Sequence, residues 1–148
     1  MQIYLACTVR GDRGAVAALR SLAASLEASG HTILTRHLLE DGVDGAEAAL
    51  TERAVYERDI AWLESCDALI AEASGSSYGV GFEVGYVLGR SGETSQRVLL
   101  LYRGDRIQQI SRLIAGNTHP RCTVVQYEDP ADMLDRVVSA LSGHGAGG

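Results

Sequence analysis

A glutamate at position 83 lies where the sequence predicts the first turn of a helix that follows a buried strand. The apolar residues 68–71 lead into a run rich in serine and glycine, which is typical of a parallel strand turning tightly into a helix. The first turn of such a helix offers free backbone N–H groups and the positive end of its dipole, where phosphates bind. Glu83 follows Gly79 by one helical turn, about 5.4 Å, close to the distance from a 5′-phosphate to C1′ of its sugar. The spacing predicts a nucleotide held by its phosphate, with the Glu83 carboxylate directed at C1′.

Two purely structural explanations compete with this prediction. Acidic residues are common in the first turn of any helix because they complement the dipole, so Glu83 alone indicates little. Three glycines accompany it, Gly79, Gly81 and Gly85, and each costs about 1 kcal/mol relative to alanine inside a helix. Their presence requires a reason, which is either close approach of a ligand or close packing of the helix on the sheet.

Asp59 is the candidate for a second acid. Residues 48–65 read as a helix, and the stripe predicted to face the core consists of Val55, Trp62, Leu63 and Cys66. Asp59 falls within that stripe, and because burial of an uncompensated carboxylate is costly, it needs a partner or a purpose there. The alternative is that Asp59 belongs to a solvated cluster made up of Glu52, Arg53, Glu57 and Arg58. Glu72, at the end of the third strand, competes with Asp59 for the role.

Further side chains are predicted near the same edge of the sheet. If the Tyr4 hydroxyl is buried, it needs a hydrogen-bond partner, and a carboxylate near the strand end would serve. The alternative is a core aromatic ring whose hydroxyl reaches water. The loop after the first strand offers a hydroxyl, a guanidinium and free N–H groups for a phosphate, although a lone loop arginine is usually solvated. Its residues are Thr8, Val9, Arg10 and Gly11. His37 has no second ligand candidate nearby, which favours a hydrogen-bond donor over a metal ligand.

Composition excludes several classes of function. All 13 basic residues are arginine, so the chain has no lysine for a P-loop, a Schiff base or a phospho-receiver site. The net charge of −6 argues against a nucleic-acid polymer as partner. No apolar stretch approaches the roughly 20 residues of a membrane span, and the N-terminus leads into a strand without a leader. The three cysteines lie in apolar runs, which favours reduced thiols and a cytoplasmic location; they are Cys7, Cys66 and Cys122.

No motif indicates a metal or an organic cofactor. The glycines from Gly79 to Gly85 read G-x-G-x-x-x-G, one residue longer than the dinucleotide-binding fingerprint, and they follow the third strand instead of the first. No Cys/His cluster has metal-ligand spacing, and the G-x-S-x-G nucleophile elbow is absent from the sequence. We therefore expect a site that works without either kind of cofactor.

Strands and helices alternate five times along the chain. Predicted strands cover residues 2–8, 32–37, 67–71, 97–102 and 122–126. Predicted helices run from Val16 to before Gly30 and over residues 48–65, 79–90, 108–115 and 130–141. This order predicts a doubly wound, five-stranded parallel α/β sheet of flavodoxin-like or Rossmann-like type, with strand order 2-1-3-4-5. Ligands bind such sheets at the carboxyl ends of strands 1 and 3. We expect one domain over residues 1–142 and a disordered tail over residues 143–148.

Four separated motifs give the chain a resemblance to a known family, the 2′-deoxynucleoside 5′-phosphate N-hydrolases of the nucleoside 2-deoxyribosyltransferase superfamily. The motifs are Tyr4…Thr8-Val9-Arg10-Gly11, Thr35-Arg36-His37, Glu57-Arg58-Asp59-Ile60-Ala61-Trp62-Leu63, and Ser77-Tyr78-Gly79-Val80-Gly81-Phe82-Glu83-Val84-Gly85. They agree with the family in order and in distance, and the resemblance extends from Ile3 to about Val138. The spacing from Asp59 to Glu83 and on to Ser111 also matches.

The resemblance implies a role for each matching residue. Glu83 would be the nucleophile that attacks C1′, Asp59 would act as acid/base or positioning group, and Tyr4 would orient the carboxylate. The 5′-phosphate would be bound by Thr8, Arg10, Gly11, Ser77 and Gly79. Ser111 would reach the phosphate in the partner subunit of a homodimer with shared sites. Cys7, Val9 and His37 complete the predicted substrate-binding set. The implied reaction releases a free base and 2-deoxyribose 5-phosphate.

Two departures from the family pattern leave the substrate open. Cys7 stands where the family usually has glycine, and Thr8 where it has serine. Thr8 keeps the hydroxyl, but Cys7 adds a side chain where the backbone would approach the ligand. The alternatives are a ribonucleotide N-glycosidase of the cytidylate-hydrolysing kind, a deoxyribosyltransferase and a non-catalytic nucleotide-binding module. Phosphate-binding hydroxyls at Thr8, Ser77 and Ser111 favour a nucleoside 5′-monophosphate over a nucleoside.

Overall fold

The computed structural model describes residues 1–10 and 12–143 as a five-stranded parallel sheet between two layers of helices. The strands are β1 (Gln2–Ala6), β2 (Thr32–Ile33), β3 (Ala68–Glu72), β4 (Arg97–Arg103) and β5 (Cys122–Tyr127). The α-helices are α1 (Val16–Ala28), α2 (Val43–Ala48), α3 (Glu52–Ser65), α4 (Tyr78–Gly89), α5 (Arg112–Ala115) and α6 (Pro130–Ser142). The strand order is β2-β1-β3-β4-β5, which confirms the predicted fold class.

The central strands are apolar throughout because both faces of the sheet are covered. One face packs against α1 and α6, with Leu19, Leu22 and Met133 in its core. The other face packs against α3 and α4, with Leu63, Val80 and Val84 in its core. Adjacent residues of β1 contribute to opposite cores: Leu5 to the first and Tyr4 to the second. Tyr4 therefore lies on the side of the sheet that carries α3 and α4.

The second predicted strand is wrong beyond Ile33. Main-chain pairing with β1 continues only to the bond from Leu34 N to Ile3 O. The side chain of Thr35 then takes the place of a strand: its Oγ1 accepts from Leu5 N at 2.9 Å and donates to Leu5 O at 2.6 Å. Because the Thr35 side chain satisfies this backbone, the chain turns into a short 3₁₀ helix, Arg36–Leu39. His37 therefore lies in a 3₁₀ helix and does not end a strand.

Two predicted helices differ in the structure. Of the helix expected over residues 48–65, only the part from Glu52 is observed, as α3, and a separate helix, α2, precedes it after Gly42, whose φ is 79°. Thr51 begins α3 because its side chain accepts a hydrogen bond from Ala54 N at 3.1 Å. The helix expected over residues 108–115 consists of a 3₁₀ helix, Gly104–Gln109, and α5, separated by extended backbone at Ile110 and Ser111.

The remaining elements agree with the sequence prediction to within two residues at each end. Of the stripe predicted for α3, Leu63 and Cys66 are buried, whereas Val55 and Trp62 are only half-buried. The predicted tail lies outside the described residues, apart from Gly143. Within the described part of the chain, no helix is long and apolar enough to cross a membrane.

Candidate active site

A cavity of about 880 Å³ opens at the carboxyl ends of β1 and β3, where the fold predicts a ligand. The loop after β1 contributes Cys7, Val9 and Arg10 to its wall. The segment from α2 to α3 and the turn into α4 contribute the rest of the polar wall, namely Glu47, Glu52, Asp59, Ser76, Ser77, Tyr78 and Glu83. Both predicted carboxylates, Asp59 and Glu83, therefore face the same cavity.

Glu83 is fixed by a residue of the central strand. Tyr4 is fully buried, and its hydroxyl donates a hydrogen bond to Glu83 Oε1 at 2.6 Å. Burial raises the pKa of Glu83 to about 7, the hydrogen bond from Tyr4 opposes that shift, and the negative charge of Asp59 adds to it. The pKa of Tyr4 is itself raised, first by burial and then by Glu83 and Asp59, so Tyr4 stays a neutral donor. The result is a carboxylate held in one orientation.

Asp59 is half-buried in the cavity wall and paired with its sequence neighbour. Arg58 Nε donates to Asp59 Oδ1 at 2.8 Å. Burial raises the pKa of Asp59, and the hydrogen bond and positive charge of Arg58 oppose that rise. The charged-cluster alternative is thus partly right, because Asp59 has a basic partner, but Asp59 faces the cavity and not open solvent.

The start of α4 has the form expected of a phosphate-binding turn. Ser77 is the N-cap, and its Oγ accepts a hydrogen bond from Val80 N at 3.4 Å. Ser77 and Gly79 both line the cavity. A Cβ added at Gly79 would contact only Ser77 Oγ, at 3.5 Å, and one added at Gly81 or Gly85 would contact nothing within 4 Å. Tight packing of α4 on the sheet therefore does not account for these glycines.

The predicted phosphate loop after β1 is only partly exposed to the cavity. Cys7 lines the wall and is 7% exposed, and burial raises the pKa of its thiol to about 11. Arg10 also lines the wall, but its Nε donates to Asp44 Oδ1 of α2 at 2.8 Å. Thr8 is buried beside Gly75 and is not part of the wall; its Oγ1 has no hydrogen-bond partner among the described residues. Gly11 lies outside the described residues.

Two other predicted residues are not part of this cavity. His37 lies beside the site, with its Nε2 at 3.3 Å from Glu47 Oε1 and its ring centroid 5.5 Å from that of Trp62. Ser111 lines a second, mainly apolar groove of about 550 Å³ between α4 and α5. This groove shares Ser76, Ser77, Tyr78 and Val80 with the cavity. Ser111 is thus next to the start of α4 without facing the two carboxylates.

Glu72, the competitor of Asp59, has a structural environment. It is 3% exposed, accepts hydrogen bonds from the Ser74 hydroxyl and, at 3.0 Å, from Tyr127 OH, and is not part of the cavity wall. Ser74 Oγ in turn accepts from Arg103 N at 2.9 Å. Glu72 therefore ties the end of β3 to β4 and β5.

Sequence reasoning missed Glu47 as a residue of the site. Its side chain is 13% exposed, lines the cavity, and pairs with Arg58 Nη1 at 2.9 Å. Nothing in the sequence indicated this position, because Glu47 lies just before the helix predicted over residues 48–65 and its partner Arg58 belongs to a separate helix. Within residues 1–10 and 12–143, no group of three or more His, Cys, Asp or Glu side chains is arranged to hold a metal ion.

Comparison with known proteins identifies the family of this chain. The family model described as nucleoside 2-deoxyribosyltransferase matches residues 3–112. A Thermofilum pendens protein named 2′-deoxynucleoside 5′-phosphate N-hydrolase is 39% identical over 143 residues, which cover 97% of this chain and 96% of that protein. The 5-hydroxymethyl-dUMP N-hydrolase of Homo sapiens is 33% identical over 143 residues, covering 93% of this chain and 79% of that protein.

A solved structure shares the fold. The CMP N-glycosidase of Clostridium botulinum superposes with a TM-score of 0.70 at 18% identity, and the match covers 95% of this chain and 99% of that one. The family match and the near-full-length relatives confirm the resemblance found in the sequence motifs. The chain belongs to the nucleoside 2-deoxyribosyltransferase family.

Proposed function

We propose that this protein is an N-glycosidase that hydrolyses 2′-deoxynucleoside 5′-monophosphates to a free base and 2-deoxyribose 5-phosphate. The observation that carries the proposal is the pair Tyr4–Glu83: a buried hydroxyl fixes a carboxylate at the wall of a cavity that Asp59 also lines. The names of the relatives, which specify 2′-deoxynucleoside 5′-phosphate and 5-hydroxymethyl-dUMP N-hydrolases, support the substrate class.

The proposed mechanism uses the two carboxyl groups in succession, as in a retaining glycosidase. Ionised Glu83 attacks C1′ as the C1′–N bond breaks, and the carboxylate stabilises the oxocarbenium character of the sugar. Asp59 gives a proton to the departing base. Water then attacks C1′ of the glycosyl ester, Asp59 takes a proton from that water, and Glu83 leaves as a carboxylate. Each carboxyl group returns to its starting state.

We assign phosphate binding to the start of α4 and the loop after β1. Ser77 and the free N–H groups of the first turn of α4 face the cavity, and the helix dipole favours an anion there. Arg10 supplies the positive charge. Its guanidinium leaves Asp44, with which it pairs in this structure, and binds the phosphate instead. Thr8, packed against Gly75, supports the loop from its buried side. Cys7 and Val9 line the cavity beside this loop and complete the contact with the sugar phosphate.

The substrate assay separates this function from its rivals. Purified protein is incubated with deoxyribonucleoside monophosphates, ribonucleoside monophosphates and unphosphorylated deoxynucleosides, each with and without a second free base, and products are separated by chromatography. We expect free base from the deoxyribonucleoside monophosphates and little from the nucleosides. Preference for ribonucleotides would establish the cytidylate-type alternative. A new nucleoside formed with the second base would establish a transferase, and release of no base from any compound would leave a binding module.

We further propose a cytoplasmic homodimer in which Ser111 serves the cavity of the other subunit. The resemblance implies this arrangement, and the groove that contains Ser111 adjoins the phosphate turn. Exposed apolar side chains border the groove: Tyr78 is 99% exposed and Leu113 is 84% exposed. The three cysteines are all free, in keeping with a reducing compartment.

A mixing experiment tests the shared site. Inactive Glu83→Ala and inactive Ser111→Ala subunits are combined and allowed to exchange. In the mixed dimer, one of the two sites pairs a native Glu83 with a native Ser111, so activity is expected to return in part. A fully active monomer in sedimentation, or no recovery after exchange has been demonstrated with labelled subunits, would contradict the proposal.

A further inference from the structure

One guanidinium contacts two of the other acidic groups in the cavity wall, Asp59 and Glu47. Arg58 Nε donates to Asp59 Oδ1 at 2.8 Å, and Arg58 Nη1 pairs with Glu47 Oε1 at 2.9 Å. The carbon at the centre of the guanidinium also lies 5.1 Å from the ring centroid of Trp62. Arg58 itself is not part of the wall, and its side chain is 22% exposed. It therefore acts on the cavity only through the groups that it holds.

Glu47 connects Arg58 to helix α2, a part of the cavity wall that makes few other contacts with the protein core. Helix α2 has six residues, of which only Val43 is buried. Among the described residues, its side chains make ion pairs at two positions: Asp44 with Arg10, where both side chains are mostly exposed, and Glu47 with Arg58 and His37. Since Glu47 is the less exposed acid, the pair with Arg58 is the attachment that solvent screens less.

We propose that Arg58 is a positioning residue of the active site: its guanidinium orients the Asp59 carboxylate towards the cavity and ties α2 to α3 at the cavity wall. This inference rests on the proposed function only in its kinetic consequences, because the orientation and ionisation of Asp59 are measurable without substrate. A planar guanidinium suits this task because it offers several N–H donors in a fixed geometry to two separate carboxylates.

The charges around Asp59 predict the direction in which its pKa should change when each neighbour is replaced. Glu47 of α2 disfavours the ionised form of Asp59, while Arg58 and His37 favour it. The charge of Asp59 also raises the pKa values of Glu83 of α4 and Tyr4 of β1, and Cys7 and Glu52 line the same cavity. Loss of Arg58 should therefore raise the pKa of Asp59, and loss of the Glu47 charge should lower it. A contact that only stabilised α3 would not produce these opposite shifts.

The test is a carboxyl-carbon NMR titration of Asp59, assigned by comparison with Asp59→Asn, in four variants. Arg58→Met removes the charge and the donors, Arg58→Lys keeps only the charge, and Glu47→Gln removes the neighbouring negative charge. Arg53→Met is the matched control on the same helix, because Arg53 is 85% exposed and pairs only with exposed Glu57 among the described residues. Circular dichroism and thermal unfolding confirm that each variant is folded.

We expect the pKa of Asp59 to rise in Arg58→Met, to lie between the native and Arg58→Met values in Arg58→Lys, to fall in Glu47→Gln and to stay unchanged in Arg53→Met. In the base-release assay, Arg58→Met should lose about 10- to 100-fold in kcat, the scale of a displaced catalytic group, with partial rescue by Arg58→Lys. An unchanged Asp59 pKa in folded Arg58→Met would overturn the inference even in an active glycosidase. The predicted shifts in a protein that releases no base would uphold the inference and reject the proposed function.

Discussion

Tyr4 and Glu83 are separated by 79 positions in sequence and joined by a hydrogen bond of 2.6 Å. The bond links the third residue of β1 to the second turn of α4, not to the first turn as the sequence predicted, across the interface between the sheet and that helix. A fully buried hydroxyl needs a partner, and a carboxylate at the edge of a cavity needs something to hold it. Each residue meets the requirement of the other, and Glu83 also lines the cavity.

Replacement of Tyr4 by Phe removes this bond with little change in volume. Because the hydrogen bond favours the ionised carboxylate, the pKa of Glu83 should rise. A hydrogen bond to a charged group contributes about 1.5–3 kcal/mol, so activity at neutral pH should fall about 10- to 100-fold, with recovery at higher pH. Tyr86→Phe is the control, since it removes an exposed bond to Glu64. Equal pH profiles for Tyr4→Phe and native protein would contradict the proposed role of Tyr4.

The pH dependence of kcat/KM reports the ionisation of Glu83 in the free enzyme. A nucleophilic carboxylate must be deprotonated, and burial raises the pKa of Glu83 to about 7. Because Asp59 must also be protonated when the base departs, the native profile should be bell-shaped, whereas the residual rate of Asp59→Asn, which has no proton to lose at that position, should only rise with pH towards the pKa of Glu83. Initial rates of base release at constant ionic strength provide the measurement. A rate in Asp59→Asn that falls as pH increases would mean that protonated Glu83 is the active form.

Replacement of Gly75 by Ala should disturb the turn between β3 and α4. A Cβ at this position would lie 2.2 Å from Thr8 Oγ1 and 2.7 Å from Asp12 O, and the second contact is with backbone. Overpacking of this kind costs about 1–3 kcal/mol, so we expect a lower Tm and a higher KM for the monophosphate. Gly89→Ala, where a Cβ would contact nothing within 4 Å, is the control. An unchanged Tm and KM for Gly75→Ala would contradict this prediction, because it would show that the loop after β1 shifts to accept the methyl group without loss of stability or substrate affinity.

The proposed dimer predicts a strong effect of charge at Leu113. Leu113 is 84% exposed on the groove that contains Ser111, so aspartate there should leave a monomer folded but disrupt association. Val138→Asp on α6 is the comparison, because Val138 is also exposed but lies away from that groove. Sedimentation equilibrium with parallel activity assays gives the result. Leu113→Asp protein that sediments and turns over like native protein would contradict the interface.

The fold was predictable because the relevant patterns are local. Apolar strands alternate with amphipathic helices, and both periodicities can be read within one element. The errors arose where side chains or loops replaced regular structure. Thr35 satisfies the backbone of Leu5 with its hydroxyl, which ends β2 early, and Thr51 caps α3 inside what reads as one helix. Neither interaction leaves a mark in the hydrophobic pattern.

The candidate site was predictable where the chain order alone brings residues together. Parallel strands place the ends of β1 and β3 side by side, so the approach of Cys7 and Ser77 to one cavity follows from topology. The contacts of Arg58 with Glu47 and of Arg10 with Asp44 depend on where α2 packs, and the sequence pattern predicts no helix at that position. Burial of Thr8 depends on Gly75, which is 67 positions away, and no sequence pattern around Gly75 predicts this contact.

The most direct test of the account is the rate of base release by Glu83→Ala compared with native protein on the preferred deoxyribonucleoside monophosphate. Loss of a covalent nucleophile should reduce kcat by about 10³-fold or more, with thermal unfolding and far-ultraviolet circular dichroism like those of native protein. The account predicts this loss together with retained binding of the monophosphate. A folded Glu83→Ala protein that keeps more than about a tenth of the native rate would contradict it.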